Sequence, residues 1–514
     1  MRKPALLLVL PALLLSRALP AQAVRGQLVD GVTELGIPSA RVLLLDGGGR
    51  RVAAGLTAAD GGFVLRAPAG GRYTVTAERV GYRSTTSAPL VLSAGETTPL
   101  RLASAGVRVT LGEVAVRSGA RCEVRPGSGA PAAAAWDEAR KALDLAHAAL
   151  AERRYRYEVT HWKRELDPRT RVVQAETGRV TGGLTDRPFV TVNPATLADS
   201  GYVQSHGDTV AFNVPDAEVL LSDPFLDGHC FRVQAGRGAD SALVGLAFEP
   251  VRGRSRADVR GTIWMDRASA ELRSVRYEYT DPPLRGPQGV PGGEVWFRRL
   301  PNGSWIVSRW MVRMPVGEDR TAQYSLVHEI GPARIAQIRE EGGEVTGITA
   351  TDGTRVDTEP SSTLTGVVWD STRAAPLVGA RVLVTGTPRE ARTDTAGRYV
   401  LAGLREGTYL LDLRAPRLDS MGFTAPPAEV TLERGATVRR DLAVPPLTAV
   451  LAAGCPEQAP DAALGILSGV VRDARSAVPV PGARVTLAWT PAAGAPQGAA
   501  EQVTDERGVF RFCG

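Results

Sequence analysis

The chain has 514 residues and a formal net charge of +6, with 61 basic and 55 acidic residues. This length accommodates three or four domains. Almost all of the basic residues are arginines scattered among the acidic ones, without the clustered basic stripe of a nucleic-acid-binding surface, so nucleic acid is excluded from the predicted partners.

The N-terminus has the organisation of a secretory signal peptide over residues 1–23. Arg2 and Lys3 precede an apolar run at 5–15, and an Ala-Gln-Ala sequence at 21–23 forms a small-residue cleavage site. The run is shorter than the roughly 18–20 apolar residues of a transmembrane helix, and no later stretch approaches that length. We predict an exported protein without a transmembrane segment, in the periplasm or at the outer-membrane or cell surface.

Three stretches of the chain share one pattern with equal internal spacing. A Gly-x-x-x-Asp sequence at 26–30 recurs at 366–370 and 469–473, and fourteen residues after each glycine the chain reads Ala-Arg-Val. A threonine then precedes an aromatic residue by six positions; these pairs are Thr57 and Phe63, Thr393 and Tyr399, and Thr504 and Phe510. The equal spacing predicts one small domain used three times, over residues 24–104, 361–446 and 465–514.

Each repeat has the alternation of half-buried β-strands. In the first copy Ala40, Val42 and Leu44 share one face, which places Arg41 on the opposite face. The corresponding Arg381 and Arg484 are expected, like Arg41, to point to solvent. Short strands separated by glycine turns over about 80 residues predict an antiparallel β-sandwich.

The repeat motifs resemble the carboxypeptidase regulatory-like domain. Residues 376–382 carry its P-x-x-G-A-x-V sequence and 393–399 its T-D-x-x-G-x-Y sequence, and the third repeat has equivalents of both. The first copy departs from the pattern at Ser39 and Ala58, where glycine and aspartate are usual. The resemblance implies a transthyretin-like, Ig-like sandwich of the carbohydrate-binding-like group. Its motif residues belong to turns and core, so it implies no catalytic residue, metal or cofactor.

The third repeat is expected to be incomplete. Gly514 aligns with Gly403, before the turn and closing strands of the second copy. We expect the chain to be a fragment or a truncated gene product with further domains after it. Residues 111–116 resemble the segment that joins such domains to TonB-dependent receptors, and an N-terminal adaptor of a TonB-linked outer-membrane system is therefore one alternative function.

The middle of the chain has a different composition. A linker at 105–135 and an amphipathic helix at 136–153 precede a long series of strand patterns, which predicts an α+β, helix-capped antiparallel half-barrel over 136–351. A second linker is expected at 447–464. Strands are predicted at residues 155–162, 172–181, 189–192, 210–214, 231–234, 243–249, 262–265, 272–280, 294–299, 305–314 and 324–329.

The strand sequence at 261–266 is similar to a strand of bacterial lipoprotein-carrier half-barrels. In that family the concave sheet holds acyl chains under a helix, which implies an acyl or lipid ligand for this region. Trp264 and Trp310 are the candidate ligand-contacting residues. The same aromatic alternation is also typical of an ordinary sheet core.

The segment 223–230 holds the densest cluster of chemically reactive side chains. It contains two aspartates, His229 and Cys230. One hypothesis is a hydrolase in which His229, in an open pocket, acts as a base or metal ligand with Asp223 or Asp227. The other is structural: the Asp-Gly pair forms a turn, His229 caps a strand and Cys230 forms a disulfide.

Four cysteines in an exported chain favour disulfides. Three pairings are possible, and we favour Cys122 with Cys230 and Cys455 with Cys513, because each pair brackets one region. No cysteine lies in a C-x-x-C or Cys/His cluster of the kind that binds zinc.

The sequence therefore predicts a mainly β, non-catalytic envelope protein that acts as a binding or scaffolding module. Envelope proteins or glycans are its expected partners, and no cofactor is expected. Carriage of an apolar ligand by the half-barrel, the TonB-linked adaptor and the hydrolase remain alternatives.

Overall fold

The computed structural model describes most of the chain from Gln22 onward. The described residues are 22–105, 123–124, 131–152, 155–180, 185, 189, 192–206, 209–251, 253, 256–282, 290–300, 305–317, 335–356, 361–371, 373–416, 425–446, 466–490 and 498–513. The predicted signal peptide lies almost wholly outside this set, as does the strand predicted at 324–329.

Strands dominate the first 235 residues, with a long helix and three short ones. The elements are β1 (Ala23–Asp30), β2 (Arg41–Asp46), β3 (Arg51–Leu56), β4 (Gly62–Arg66), β5 (Gly71–Glu78), β6 (Thr85–Thr86), β7 (Leu90–Leu92), β8 (Thr97–Ser104), β9 (Glu123–Val124), α1 (Pro131–Glu152), β10 (Tyr155–Leu166), β11 (Val173–Val180), α2 (Pro194–Ser200), β12 (Val203–His206), β13 (Thr209–Phe212), α3 (Ala217–Leu221), α4 (Asp223–Gly228) and β14 (His229–Ala235).

The described elements after residue 235 are mostly strands, with a 3-10 turn at Gly238–Asp240. They are β15 (Leu243–Pro250), β16 (Val259–Asp266), β17 (Leu272–Tyr279), β18 (Gly292–Arg299), β19 (Trp305–Gly317), β20 (Ile335–Ala350), β21 (Arg355–Val356), β22 (Ser362–Asp370), β23 (Ala375–Pro376), β24 (Arg381–Val384), β25 (Glu390–Arg392), β26 (Arg398–Leu404), β27 (Gly407–Arg414), β28 (Ala428–Leu432), β29 (Thr437–Arg439), β30 (Leu442–Val444), β31 (Ile466–Val470), β32 (Arg484–Trp489), β33 (Gly498–Val503) and β34 (Val509–Cys513).

These elements form two compact units. Unit 1 comprises Met1–Tyr155, Phe189–Asp281 and Gly293–Trp310, and unit 2 comprises Arg156–Pro188, Pro282–Gly292 and Met311–Gly514. The mainly β class predicted from the sequence is confirmed.

The first repeat forms a two-sheet sandwich in unit 1. One sheet has the order β4-β1-β8, with β8 parallel to β1, and the other has the order β3-β2-β5-β6, with β7 added to β5. The alternation predicted around Val42 holds, because Ala40, Val42 and Leu44 are all fully buried between the sheets.

The second repeat repeats this topology in unit 2. Strand β22 is antiparallel to β26 and parallel to β29 and β30, while β24 lies between β25 and β27. Ala380, Val382 and Val384 fill its core and are at most 1% exposed. The described part of the third repeat has two strand pairs, β31 with β34 and β32 with β33.

The middle region contributes antiparallel strands to both units. In unit 1 the order is β9-β14-β15-β16-β17-β18, followed by the first half of β19, and helix α1 packs on this sheet with the Trp136 ring 5.7 Å from Phe231. In unit 2 the second half of β19 is followed by β20, β10 and β11. The sequence thus predicted the helix and the antiparallel sheet.

Several details of the middle region differ from the predictions. Helix α1 starts at Pro131 rather than 136, since proline is favoured in the first turn of a helix and the alanines after it are strong helix formers. Strand β20 was missed because its Arg-Glu-Glu-Gly-Gly interior has little β-propensity. The short helices α2 to α4 were missed as well, and the described residues Phe189 and Val192 do not form the predicted strand at 189–192.

The repeated threonine closes each sandwich with the same pair of hydrogen bonds. The Thr393 hydroxyl donates to the Leu377 carbonyl at 2.6 Å and accepts from the Ala380 amide at 2.9 Å. Thr57 and Thr504 make the equivalent pair of bonds in their own repeats. All three threonines are buried, so the hydroxyl satisfies two backbone groups that water cannot reach.

The repeated glycine makes room for the repeated aromatic ring. A Cβ on Gly26 would lie 2.2 Å from the Phe63 ring, and one on Gly366 would lie 2.7 Å from the Tyr399 ring. Gly469 and Phe510 repeat this contact at 2.8 Å. The spacing from glycine to aromatic is therefore a packing requirement between two paired strands.

We expect Thr393→Val to destabilise the second sandwich by about 1–3 kcal/mol, because two buried backbone groups lose their partner. Hydrogen–deuterium exchange of peptides covering 376–394 measures the local loss. Thr437→Val, on an exposed residue of β29, is the control and should leave the exchange of these peptides unchanged. Equal protection in both variants would refute a structural role for the Thr393 hydroxyl.

Candidate functional site

A buried arginine joins the sheet of unit 2 to the second sandwich. Arg164 lies on β10 in the same alternation as Trp162 and Leu166, and all three side chains are buried. A charge in this core position requires partners, since burying an unpaired guanidinium is costly.

The partners of Arg164 come from four separate strands and turns. Its Nε donates to Glu176 at 2.7 Å, and its Nη2 donates to the Tyr409 hydroxyl at 2.8 Å. Its Nη1 donates to the Glu406 carbonyl at 2.8 Å and lies 3.5 Å from Glu340. Burial alone would lower the pKa of Arg164, but the Tyr409 oxygen and the two carboxylates raise it above its usual value.

A second arginine extends this network towards solvent. Arg405 lies 3.8 Å from Glu176 and 3.9 Å from Glu344, and burial lowers its pKa. Glu344 also accepts a hydrogen bond from Arg434 at 2.7 Å. The carboxylates and guanidiniums therefore alternate from the buried junction to the surface.

A polar cleft of about 590 Å³ opens beside this network, within unit 2. Strands β10, β11 and β20 supply one side and the second sandwich supplies the other. The lining residues that matter here are charged: three arginines and three glutamates. They are Arg389, Arg405, Arg434, Glu176, Glu344 and Glu406.

The lining of the cleft is polar. It holds hydroxyls, paired charges and backbone groups. Such a surface can bind the amides and charges of a polar segment. Among the described residues strand β11, which borders it, is the end strand of its sheet; its Glu176 amide bonds to the Gly386 carbonyl of the second sandwich at 2.8 Å, and its residues 177–180 are exposed.

Unit 1 contains its own buried junction, between helix α1 and the first sandwich. Lys141, with a side chain only 1% exposed, donates to Glu138 at 2.7 Å and to the Tyr82 carbonyl at 2.8 Å. Glu138 accepts from the Gly81 amide at 2.7 Å, and burial raises its pKa. Neither residue was predicted from the sequence. One signal for them was available, because Lys141 is one of three lysines in a chain that otherwise uses arginine.

The prediction that Arg41 points to solvent was wrong. Arg41 is buried and lies 3.3 Å from Asp144 and 3.9 Å from Glu78. The reason is that helix α1 covers this face of the first sandwich, and Arg140 of the helix pairs with the same two acids. The equivalent Arg381 and Arg484 are exposed, as predicted.

The segment around His229 forms a helix end rather than an open pocket. Residues 223–228 form α4 instead of the predicted Asp-Gly turn, and the ring of His229 stacks on Phe225 with centroids 4.0 Å apart. His229 is 1% exposed; its ring nitrogens contact the Phe225 and Val259 carbonyls, and Nε2 lies 3.1 Å from Asp258. The open pocket that the hydrolase hypothesis required is therefore not formed at His229.

The two candidate tryptophans lie on strands of unit 1. Trp264 is 8% exposed and has the guanidinium of Arg276 5.7 Å from its ring centre, while Trp310 contacts Phe189 with ring centroids 5.2 Å apart. Arg276 in turn donates to Glu294 at 2.9 Å. The surroundings of Trp264 are thus charged, and neither tryptophan lines the cleft.

The structure places two of the four candidate cysteines. Cys230 lies on β14 opposite Val124, in the short strand that directly follows Cys122, and Cys513 lies on β34 opposite Ile466. Cys122 and Cys455 lie outside the described residues, so both disulfide pairings stay predictions.

Fold and cleft together define a β-sandwich protein with a polar cleft in unit 2. Two of its sandwiches belong to a known family: residues 23–105 and 363–445 match the carboxypeptidase regulatory-like domain, which confirms the resemblance read from the repeats. The matched domain is of a regulatory and not a peptidase kind. The third repeat lies outside the matched segments, and its assignment stays a prediction.

Similar solved structures are distant. They include the major pilin subunit BcpA of Bacillus cereus, with 10% identity over 82% of this chain and 99% of that chain and a TM-score of 0.15. A DUF1329 family protein from Desulfovibrio piger has 12% identity over 41% and 93% and a TM-score of 0.19. A cohesin–X-dockerin complex from Acetivibrio cellulolyticus has 20% identity over 16% of this chain, and the matched region spans only 56% of that chain, with a TM-score of 0.14.

These scores give no basis for transferring a function. No curated protein sequence matches the chain. Within the described residues, every helix is too short or too polar to cross a membrane.

We expect Arg164→Met to lower the free energy of unfolding of unit 2 by about 3–5 kcal/mol, because Glu176, Glu340, the Glu406 carbonyl and the Tyr409 hydroxyl each lose a charged partner at a buried junction. Arg381→Met is the matched control: its exposed ion pair with Glu390 is worth at most about 1 kcal/mol. Chemical unfolding of the two variants measures the difference. Similar losses in both would show that burial of Arg164 carries no special cost.

We expect the stability of unit 1 to depend on the protonation of Asp216. This residue caps helix α3 by accepting a hydrogen bond from the Val219 amide at 3.0 Å. Burial raises the pKa of Asp216 to about 6, from an ordinary value of 3.8. Its contribution to stability is therefore complete below about pH 4 and is lost as the pH rises through 6.

Asp216→Asn, which keeps the cap, should flatten this dependence and raise the melting temperature at pH 7 relative to the wild type. Melting curves between pH 4 and 7 check the expectation. Asp199→Asn, at an exposed position on α2, is the control. Parallel pH profiles for wild type and Asp216→Asn would contradict it.

Proposed function

We propose that this chain is a non-catalytic binding and scaffolding protein of the bacterial cell envelope, and that the polar cleft of unit 2 receives a segment of another envelope protein. The observation that carries this proposal is the cleft itself. Three arginines and three glutamates line it, and the Arg164 network fixes the sandwich that forms one of its sides.

Pre-organisation of the cleft supports binding over a merely structural role. The network bonds Tyr409 of the sandwich to strands β10 and β11 of the sheet, so little ordering remains when a partner enters. The size of the cleft, about 590 Å³, lies within the range of small-ligand and peptide sites.

The neighbouring strand edge supports a peptide as the occupant. Residues 177–180 at the end of β11 are exposed, and the end strand of a sheet can accept an added strand through its backbone groups. The charged lining then offers partners for acidic and basic side chains of the added segment. A glycan is less well supported, because the cleft lining contains no aromatic residue.

Location in the envelope rests on the signal-like N-terminus together with the regulatory-like sandwiches. The charged surroundings of Trp264, which lies next to Arg276 and its ion pairs, argue against an acyl ligand at this residue.

Site-specific photo-crosslinking tests the proposal in the exporting cell. A photoreactive residue replaces Gly178, which is exposed, lines the cleft and has room for a side chain. The matched control carries it at Val400, 60% exposed on the second sandwich but outside the cleft. We expect protein adducts of defined mass from position 178 and none from position 400.

A charge reversal sharpens this experiment. Arg389→Glu changes an exposed residue of the cleft rim that is not one of the hydrogen-bond partners of Arg164, so folding should be unaffected. It should reduce the yield of the position-178 adduct several-fold. Equal adduct yields at positions 178 and 400 would overturn the proposal. So would an unchanged adduct yield at position 178 in Arg389→Glu, or adducts that contain lipid instead of protein.

A further inference from the structure

Unit 1 contains a separate cavity of about 360 Å³. Its lining comes from the turn after β5, from helix α1, from the β16–β17 turn and from the ends of β18 and β19. It contains four charged residues. They are Arg79, Arg299, Asp30 and Glu271.

The two arginines are both positively charged and both line this cavity. Arg79 uses only Nη1, in a long hydrogen bond of 3.3 Å to the Ser39 carbonyl, and its buried Nε has no acceptor in the described part of the chain. Arg299 places Nη1 3.4 Å from Glu271. Burial, and after it the charge of Arg299, lowers the pKa of Arg79 to about 10.

The two carboxylates of the cavity are already engaged. Asp30 accepts the backbone amides of Val32 and Thr33 at 2.9 Å, which holds one of its oxygens in the turn after β1. The Glu271 carboxylate lies 3.4 Å from Arg299 and 3.8 Å from Arg273. Of these two arginines, only Arg299 lines the cavity. Most of the N–H groups of Arg79 therefore remain available to an incoming acceptor.

From this geometry we propose that the cavity binds the anionic group of a small ligand, a carboxylate or a phosphate, between Arg79 and Arg299. Guanidinium groups present paired N–H donors that match both kinds of oxyanion. A bound anion would accept from N–H groups of Arg79 that have no partner among the described residues and would screen the repulsion between the two arginines. This site lies in unit 1 and is independent of the cleft of unit 2.

Thermal shift and calorimetry on the full chain test the proposal, with inorganic phosphate and succinate as the two probes. At constant ionic strength, set with sodium chloride to remove general screening, at least one probe should raise the melting temperature saturably. The relative affinities then distinguish a phosphate from a carboxylate ligand. Arg79→Gln should weaken the binding of that probe by about 10- to 100-fold, as expected for loss of charged hydrogen bonds.

Two further variants separate binding from stability. Arg299→Gln should also weaken the binding of the probe. Arg72→Gln, at an exposed position of the first sandwich outside the cavity, should leave the binding unchanged. Arg79→Lys keeps the charge and should retain part of the affinity even if Arg79→Gln unfolds. No saturable shift with either probe, or equal affinity in wild type, Arg79→Lys and Arg299→Gln, would overturn the proposal.

Discussion

The architecture of each unit depends on charges that are buried where a sandwich meets its neighbours. A guanidinium or ammonium group in a core position is tolerated only if carboxylates and carbonyls surround it. Arg164 and Lys141 meet this requirement with partners from elements distant in sequence. Because the partners are specific atoms, the junction has one favourable arrangement, whereas an apolar interface of similar area could slide.

This constraint also explains what the cleft of unit 2 is able to do. Its charges continue the buried network outward, so the groups that hold the sandwich in place also shape the cleft surface at which we propose that a partner binds. Arg405 illustrates the link, since it lies beside the ring of Trp162 and close to Glu176 and Glu344. The cleft lining and the domain packing of unit 2 therefore share residues, and substitutions that loosen the packing are expected to change the cleft.

The sequence predicted the sandwiches well because their signals are local. The glycine, the threonine and the aromatic residue of each repeat act within one sandwich, and their spacing follows from strand length and turn geometry. The alternation around Val42 and Val382 identified the core correctly for the same reason. Family membership of two repeats followed directly from these motifs.

The middle region and the site were less predictable because their determinants are long-range. Arg164 interacts with Tyr409, 245 positions away, and no pattern along the chain announces that pair. Arg41 was misplaced because alternation gives the face of a strand but not the element that covers it. His229 offered a typical catalytic residue type, yet its role is set by Phe225, Asp258 and Val259, of which only Phe225 is a sequence neighbour.

The scarcity of lysine has a practical consequence for labelling chemistry. Of the three lysines, Lys3 lies in the predicted signal peptide and Lys141 is buried at the junction in unit 1. The side chain of Lys163 is 67% exposed. If residues 1–23 are removed as predicted, an amine-reactive reagent applied to the folded chain meets one accessible lysine, on β10 directly before Arg164. The chain offers a built-in single attachment point for a fluorophore, from which movements at the junction of the second sandwich can be followed without introducing a cysteine.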